Sequence, residues 1–159
     1  MSKSKTNAMR ILDSKKIDYE IYTYETNDGK IDGISVAQKV GLDTKKVYKT
    51  LIAQGNKKDI YVFVIPVEEE LDLKKAAKVA EVKKVEMVPV KEIQSLTGYI
   101  RGGCSPIGMK KGYPTFIDAN ASNLDRIIVS AGKIGMQVEL KVADLLMATD
   151  GKIVGIIKE

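Results

Sequence analysis

The stretch GYIRGGCSPIG, residues 98–108, contains four glycines, a serine, a proline and the only cysteine of the chain. Glycine accepts positive φ and lets a ligand approach the backbone closely. Gly102 and Gly103 could therefore direct two N–H groups at a carbonyl or phosphate oxygen, as an oxyanion hole does, with the Ser105 hydroxyl beside them. A tight connection without a ligand has the same composition, so the loop alone leaves both interpretations open.

A lysine lies within an apolar strand pattern in VYKTL, residues 47–51. If Val47, Lys49 and Leu51 share one face, the lysine points the same way as two apolar side chains. Its ammonium must then either extend to solvent or end in a cleft, where it could bind an anionic group. A solvated lysine on an edge strand is the alternative.

The absence of histidine limits the chemistry of this chain. Neither a Ser-His-Asp triad nor a Cys-His pair can be assembled from it, and the usual zinc sites are excluded because only one cysteine is present. We expect no metal and no cofactor. Without an activating histidine, Cys104 is predicted to be a spectator thiol, and a single cysteine fits the reducing cytoplasm.

A hydroxyl and a glycine end another predicted strand, at Ser130 and Gly132. Both residue types suit the rim of a pocket, and both suit an ordinary hairpin. The net charge is +5, and lysine pairs recur along the chain. These pairs fit solvated faces or a rim that contacts phosphates, and the sequence does not separate the two.

Apolar periodicity and turn residues predict a mixed α/β fold in a single domain spanning 1–159. A barrel-like mixed sheet with flanking helices is the expected architecture. Thr6 is the expected cap of the first helix, and Ser35 and Gly41 are expected to bound the second. TNDGKIDG (26–33) is a loop. We find no secretory signal and no apolar run long enough to span a membrane. Helices are predicted at 6–16, 35–41, 71–80, 91–98 and 142–149. Strands are predicted at 18–25, 47–54, 59–66, 85–90, 114–119, 126–132, 136–141 and 152–158.

Several short motifs, in order over almost the whole chain, carry a resemblance to a known family. The chain resembles the YbaK/EbsC family of free-standing aminoacyl-tRNA deacylases, in particular the Cys-tRNA(Pro)/Cys-tRNA(Cys) branch. The resemblance implies the domain type of the editing domain associated with prolyl-tRNA synthetase. The motifs are TYE (23–25), VYKTL (47–51), LDLKK (71–75), KKVEM (83–87), TGY (97–99), GG (102–103), SP (105–106), VS (129–130) and GK (132–133).

The resemblance implies hydrolysis of mischarged aminoacyl-tRNA, chiefly Cys-tRNA(Pro). It implies that Lys49 is the key catalytic residue and that the aminoacylated 3′ end of tRNA is the partner. It also implies a transient complex with prolyl-tRNA synthetase. It implies no binding to DNA or to a membrane. The attacking group in the cysteine branch is the thiol of the substrate, so Cys104 remains a bystander. The substrate-binding residues that we expect are Tyr24, Thr50, Gly102, Gly103, Ser105, Ser130, Gly132 and Gln137.

Two positions depart from the cysteine-specific pattern. Gln137 stands where that branch has a pocket aspartate, and the loop at 26–33 lacks an aromatic residue that the branch places over the pocket. Because of these two departures, the substrate could instead be tRNA charged with alanine or another amino acid. Two alternatives of other classes are a non-catalytic module that binds tRNA or a synthetase, and a hydrolase of small esters.

Overall fold

The helices and strands follow the predicted order. The computed structural model describes residues 5–26, 28–29, 33–39 and 41–159, so part of the predicted loop at 26–33 lies outside the described residues. The helices are α1 (Asn7–Ser14), α2 (Gly33–Lys39), α3 (Leu73–Ala80), α4 (Val90–Thr97) and α5 (Val142–Thr149), with 3-10 turns at Thr44–Lys46 and Ala119–Asn123. The strands are β1 (Glu20–Thr23), β2 (Tyr48–Gly55), β3 (Ile60–Pro66), β4 (Val85–Met87), β5 (Thr115–Asp118), β6 (Arg126–Lys133), β7 (Met136–Lys141) and β8 (Lys152–Val154).

Local capping groups set several helix ends. The Thr6 side chain accepts a hydrogen bond from the Met9 N–H, which confirms its predicted role before α1. Gly98, with φ of 85°, ends α4. The predicted cap at Ser35 is wrong: α2 begins at Gly33, so Ser35 lies within the helix instead of in the extended conformation of a cap residue.

The strands form two open sheets. One has the order β1-β7-β6 and is antiparallel throughout. The other has the order β4-β2-β3-β5-β8 and is mixed, since β5 runs parallel to both β3 and β8. The expected barrel-like sheet is therefore wrong for the described residues. A closed barrel would need a continuous ladder of hydrogen bonds between the two sheets. Only an isolated parallel bridge, between Val47 and Ile128, joins the described residues of the two sheets.

Beyond this bridge, the strands that the structure describes leave one edge at the start of β2 without a hydrogen-bonded neighbour. β4 pairs with β2 only at 53–55, at the far end of the strand. Residues near the start of β2 thus have β3 on one side and the gap toward β6 on the other. Because the two sheets do not close into a barrel, an opening lies between the start of β2 and β6.

Alternate residues of β2 pack on opposite faces of its sheet. Tyr48 and Ile52 belong to the main core between the two sheets, together with Val64 of β3 and Val129 of β6. Leu51 packs on the other face, against the cluster formed with α3. The face that carries Leu51 is therefore also the face of the lysine at position 49. The third buried cluster consists of Ala37, Val47, Val67 and Ile128.

Candidate active site

A cleft of about 100 Å³ lies where β2 separates from β6. It is formed by residues from α2, β2, the glycine-rich loop, β6 and β7. Five of the residues predicted from the sequence line it: Lys49, Thr50, Gly102, Ser130 and Gln137. The other lining residues are Val36, Val47, Tyr48, Val67 and Cys104.

Lys49 is the cation in the wall of this cleft. Its side chain is partly buried, and it forms no ion pair or side-chain hydrogen bond with any residue that the structure describes. The neighbouring Val47 is fully buried, so the surroundings are partly apolar. An ammonium in such a place interacts strongly with an anion that enters the cleft, because little water competes with it.

The glycine-rich loop reaches the cleft through a β-turn. The Gly103 N–H donates to the Ile100 carbonyl at 2.9 Å, and Gly102 has φ of 87°, the pattern of a type II turn with glycine at the third position. Gly102 lines the cleft, and Gly103 is not among the lining residues. The Gly103 N–H is already engaged within the turn, so it is not available to an oxyanion in this conformation.

Gly103 and Gly132 instead hold the loop against the hairpin of β6 and β7. A Cβ on Gly103 would lie 2.7 Å from the Ile134 nitrogen and 2.8 Å from the Cα of Lys133. A Cβ on Gly132, whose φ is 102°, would lie 2.8 Å from a ring carbon of Tyr99. Both glycines are thus required for close packing that sets the position of the cleft wall.

Ser105 also lies outside the cleft wall. It is fully buried, and its hydroxyl accepts a hydrogen bond from the Ile107 N–H at 3.2 Å. The hydroxyl therefore stabilises the turn of residues 105–107 within the loop. Its proximity in sequence to Gly102 does not make it a lining residue.

Ser130 and Gln137 face each other across the β6–β7 ladder. The Ser130 hydroxyl accepts a hydrogen bond from the Gly132 N–H at 3.2 Å, within the bulge between Ser130 and Lys133. Gln137 is 93% buried, and its Oε1 has no hydrogen-bond partner among the described residues. A buried polar atom without a partner is unfavourable by about 1–3 kcal/mol. In the wall of a cleft it marks a place where a ligand donor would be favourable.

Two further lining residues, Thr50 and Tyr48, also have a buried hydroxyl without a partner among the described residues. Burial, followed by the negative charge of Asp118, raises the pKa of Tyr48 above its ordinary value, so this phenol stays protonated. Tyr48, Val36 and Val67 line the cleft although the sequence did not predict them as site residues. Tyr48 is adjacent to Lys49 and was detectable in principle, whereas the other two reach the cleft only through tertiary packing.

Tyr24 is the remaining predicted residue, and it is not among those that line the cleft. Its hydroxyl is buried without a partner among the described residues. The Lys39 ammonium of α2 lies 6.0 Å from the centroid of its ring, at the limit of a cation–π contact. Tyr24 therefore contacts the helix that carries Val36, one of the lining residues.

Cys104 lines the cleft but is poorly suited to attack an ester. Burial raises the pKa of its thiol to about 11, although a contact at 4.0 Å from its sulfur to the Thr97 hydroxyl opposes the shift. Since the thiolate is the nucleophilic form, this thiol is largely unreactive near neutral pH. The geometry thus supports the bystander role predicted from the sequence.

We expect Cys104→Ser to change the rate of deacylation by less than about tenfold. The hydroxyl is close in size to the thiol but more polar, so we expect folding to be retained with a loss on the order of 1 kcal/mol. Single-turnover rates should be measured beside the urea midpoint. A loss above about a hundredfold in a folded variant would contradict the bystander role.

Among the residues that the structure describes, no group of three or more His, Cys, Asp or Glu side chains could hold a metal ion. Within the same residues, none of the helices has the length and apolar character needed to cross a bilayer.

Comparisons with known proteins identify the family of this chain. Residues 33–148 match the family described as "Aminoacyl-tRNA editing domain". A protein of Enterococcus faecalis, described as "Putative Cys-tRNA(Pro)/Cys-tRNA(Cys) deacylase EbsC", is 46% identical over 151 residues, covering 95% of this chain and 92% of the relative. A crystal structure of "a putative trans-editing enzyme for prolyl tRNA synthetase" shares the fold, with a TM-score of 0.85 at 20% identity over 99% of this chain and all of the other. A hypothetical protein of known structure, 18% identical, has a TM-score of 0.87 over 96% of this chain and all of its own. The chain belongs to the aminoacyl-tRNA editing domain family.

Proposed function

We propose that this protein removes cysteine from mischarged Cys-tRNA(Pro), with Lys49 as the catalytic residue. The broader activity, aminoacyl-tRNA deacylation, follows from the family. The finer proposal rests mainly on one observation: a partly buried lysine without an ion-pair partner among the described residues, in a small cleft of a chain without histidine. The relative that is 46% identical carries the same substrate in its description.

The thiol of the substrate supplies the nucleophile in this proposal. Its sulfur attacks the ester carbonyl carbon of the same cysteinyl group, the C–O bond to the terminal ribose breaks, and the proton of the thiol ends on the ribose hydroxyl. The products are a cyclic thiolactone and free tRNA, so atoms and electrons balance. Holding thiol and carbonyl together makes the step intramolecular, which favours it entropically.

The protein then has to position the ester and stabilise charge. Lys49 offers its ammonium to the negative charge that develops on oxygen, and Gly102 leaves its backbone open to the ester because it has no side chain. Gln137 offers Oε1 to a donor on the aminoacyl group, such as its α-ammonium. Thr50 and Ser130 complete the polar part of the wall.

The neutral amide of Gln137 favours a second candidate within the same class, a deacylase for alanine or another small amino acid. An amide can accept a hydrogen bond from an ammonium but brings no charge to it. A cleft of about 100 Å³ admits any small side chain. With an alanyl ester no thiol is present, so water would have to attack.

The proposal includes residues 1–159 as a single domain and prolyl-tRNA synthetase as a transient partner. A cleft of this size holds only the aminoacyl end of a tRNA, and that end is alike in all tRNAs. The choice of tRNA would therefore come from the synthetase.

The deciding experiment compares four substrates at equal concentration: Cys-tRNA(Pro), Cys-tRNA(Cys), Ala-tRNA(Pro) and Pro-tRNA(Pro). We expect both cysteinyl substrates to be deacylated at rates within about fivefold of each other, and the prolyl substrate to be left intact. Faster loss of alanine would move the specificity to the second candidate. Binding of tRNA without hydrolysis of any substrate would replace the enzyme by a binding module.

A further inference from the structure

Two basic residues lie close in sequence to residues of the cleft wall, on turns that pack against each other. Arg101 occupies the second position of the β-turn formed by residues 100–103, directly before Gly102 in the cleft wall. Lys133 ends β6, three residues after Ser130, which also lines the cleft. Both side chains are exposed.

The backbone holds these two turns against each other. A Cβ on Gly103 would lie 2.8 Å from both the Cα and the carbonyl carbon of Lys133, so the turn and the hairpin pack without an intervening side chain. This contact between the two backbones fixes the relative positions of the Cα atoms of Arg101 and Lys133 but not the conformations of their side chains. The two cations are therefore neighbours through tertiary packing, 32 positions apart in sequence.

Neither cation has a partner among the residues that the structure describes. No ion pair and no side-chain hydrogen bond involves Arg101 or Lys133. The first turn also leaves Ile100 45% exposed. Two unpaired cations beside an apolar surface suit a nucleotide, since the cations can bind phosphates and the apolar surface can contact a base.

We propose that Arg101 and Lys133 bind the phosphodiester backbone of the single-stranded 3′ end of the substrate RNA and guide the terminal nucleotide into the cleft. This inference rests on the proposed function, because the bound strand is the one that carries the aminoacyl ester. Lys49 inside the cleft meets the ester, while the outer pair meets the phosphates that precede it. Contacts to phosphates position the strand without reading its bases.

The test measures equilibrium binding of uncharged tRNA ending in CCA over a range of salt concentrations. We expect Arg101→Ala/Lys133→Ala to bind about tenfold more weakly at 50 mM salt. The slope of log K against log salt should fall by about 1.5, since each phosphate contact contributes about 0.7–0.9. With Cys-tRNA(Pro), KM should rise by a similar factor while kcat changes less than about twofold.

A matched control removes two lysines at the other end of β2. Lys83 and Lys84 are exposed and precede Val85, which pairs with Gly55. Six residues of strand separate Lys49 from Gly55, or about 20 Å, which is roughly twice the screening length at 0.1 M salt. We expect Lys83→Ala/Lys84→Ala to leave the slope within about 0.5 of the wild-type value. An equal loss in both double variants would overturn the inference in favour of a general effect of net charge.

Removal of CCA from the tRNA locates the contact. If the pair binds the 3′ strand, the truncated tRNA should bind wild type and the Arg101→Ala/Lys133→Ala variant equally. A loss that persists with the truncated tRNA would place the contact elsewhere on the RNA and overturn the inference. Because these readouts use uncharged tRNA, they are independent of hydrolysis. Failure of wild type to hydrolyse any aminoacyl-tRNA would refute the proposed function alone.

Discussion

Replacement of Lys49 by alanine is expected to slow deacylation of Cys-tRNA(Pro) by about 10²–10³-fold. Lys49 is partly buried and lines the cleft, so its loss removes a charge positioned to stabilise developing negative charge. A factor of this size corresponds to about 3–4 kcal/mol of the activation free energy. Single-turnover rates at saturating enzyme isolate this step from binding.

Folding should not be affected, which makes the variant easy to interpret. Lys49 forms no ion pair or side-chain hydrogen bond with a described residue, so alanine leaves no partner behind. We expect the free energy of unfolding to change by less than about 1 kcal/mol. Lys49→Arg keeps the charge but not the shape, and should recover only part of the rate because guanidinium and ammonium differ in geometry. A rate within threefold of wild type for Lys49→Ala would eliminate the lysine from the mechanism.

The position of Lys49 could be predicted because strand alternation is a local property. Val47 and Leu51 are both partly or fully buried, as the pattern VYKTL indicates, and the lysine between them lines the cleft. The expected barrel was wrong because closure of a sheet is not a local property of the sequence. Whether β2 and β6 continue to pair beyond Val47 and Ile128 depends on residues distant in sequence, and no periodicity reports it.

In the glycine-rich loop, too, the role of a single residue depends on tertiary contacts that the local sequence does not report. Glycines at 102 and 103 look equivalent in the sequence, yet one lines the cleft and the other packs on the hairpin. Composition identifies a bare backbone but does not tell whether a ligand or another part of the chain approaches it. Ser105 was assigned to the site for its hydroxyl, and that hydroxyl binds a neighbouring N–H instead.

Gly103→Ala should therefore destabilise the fold and disturb the cleft at once. Gly103 is not one of the glycines with positive φ, so the requirement at this position is for space. The new methyl group would lie 2.7–2.8 Å from backbone atoms of Lys133 and Ile134, which cannot rotate away as a flexible side chain would. Overpacking of this kind is unfavourable by about 1–3 kcal/mol, and we expect the upper part of that range.

Relief of this contact requires the turn and the hairpin to separate, which moves Gly102 relative to Ser130 across the cleft. We expect the rate to fall by at least about tenfold at temperatures where the variant is still folded, because a displacement near 1 Å strongly affects a positioned reaction. Urea unfolding gives the stability, and single-turnover rates on the folded variant give the activity. Gly112→Ala is the matched control, since a Cβ there has no atom within 4 Å. If Gly103→Ala matched that control in both measurements, the loop would not depend on this packing, and the cleft wall would have to be positioned by the side chains around it.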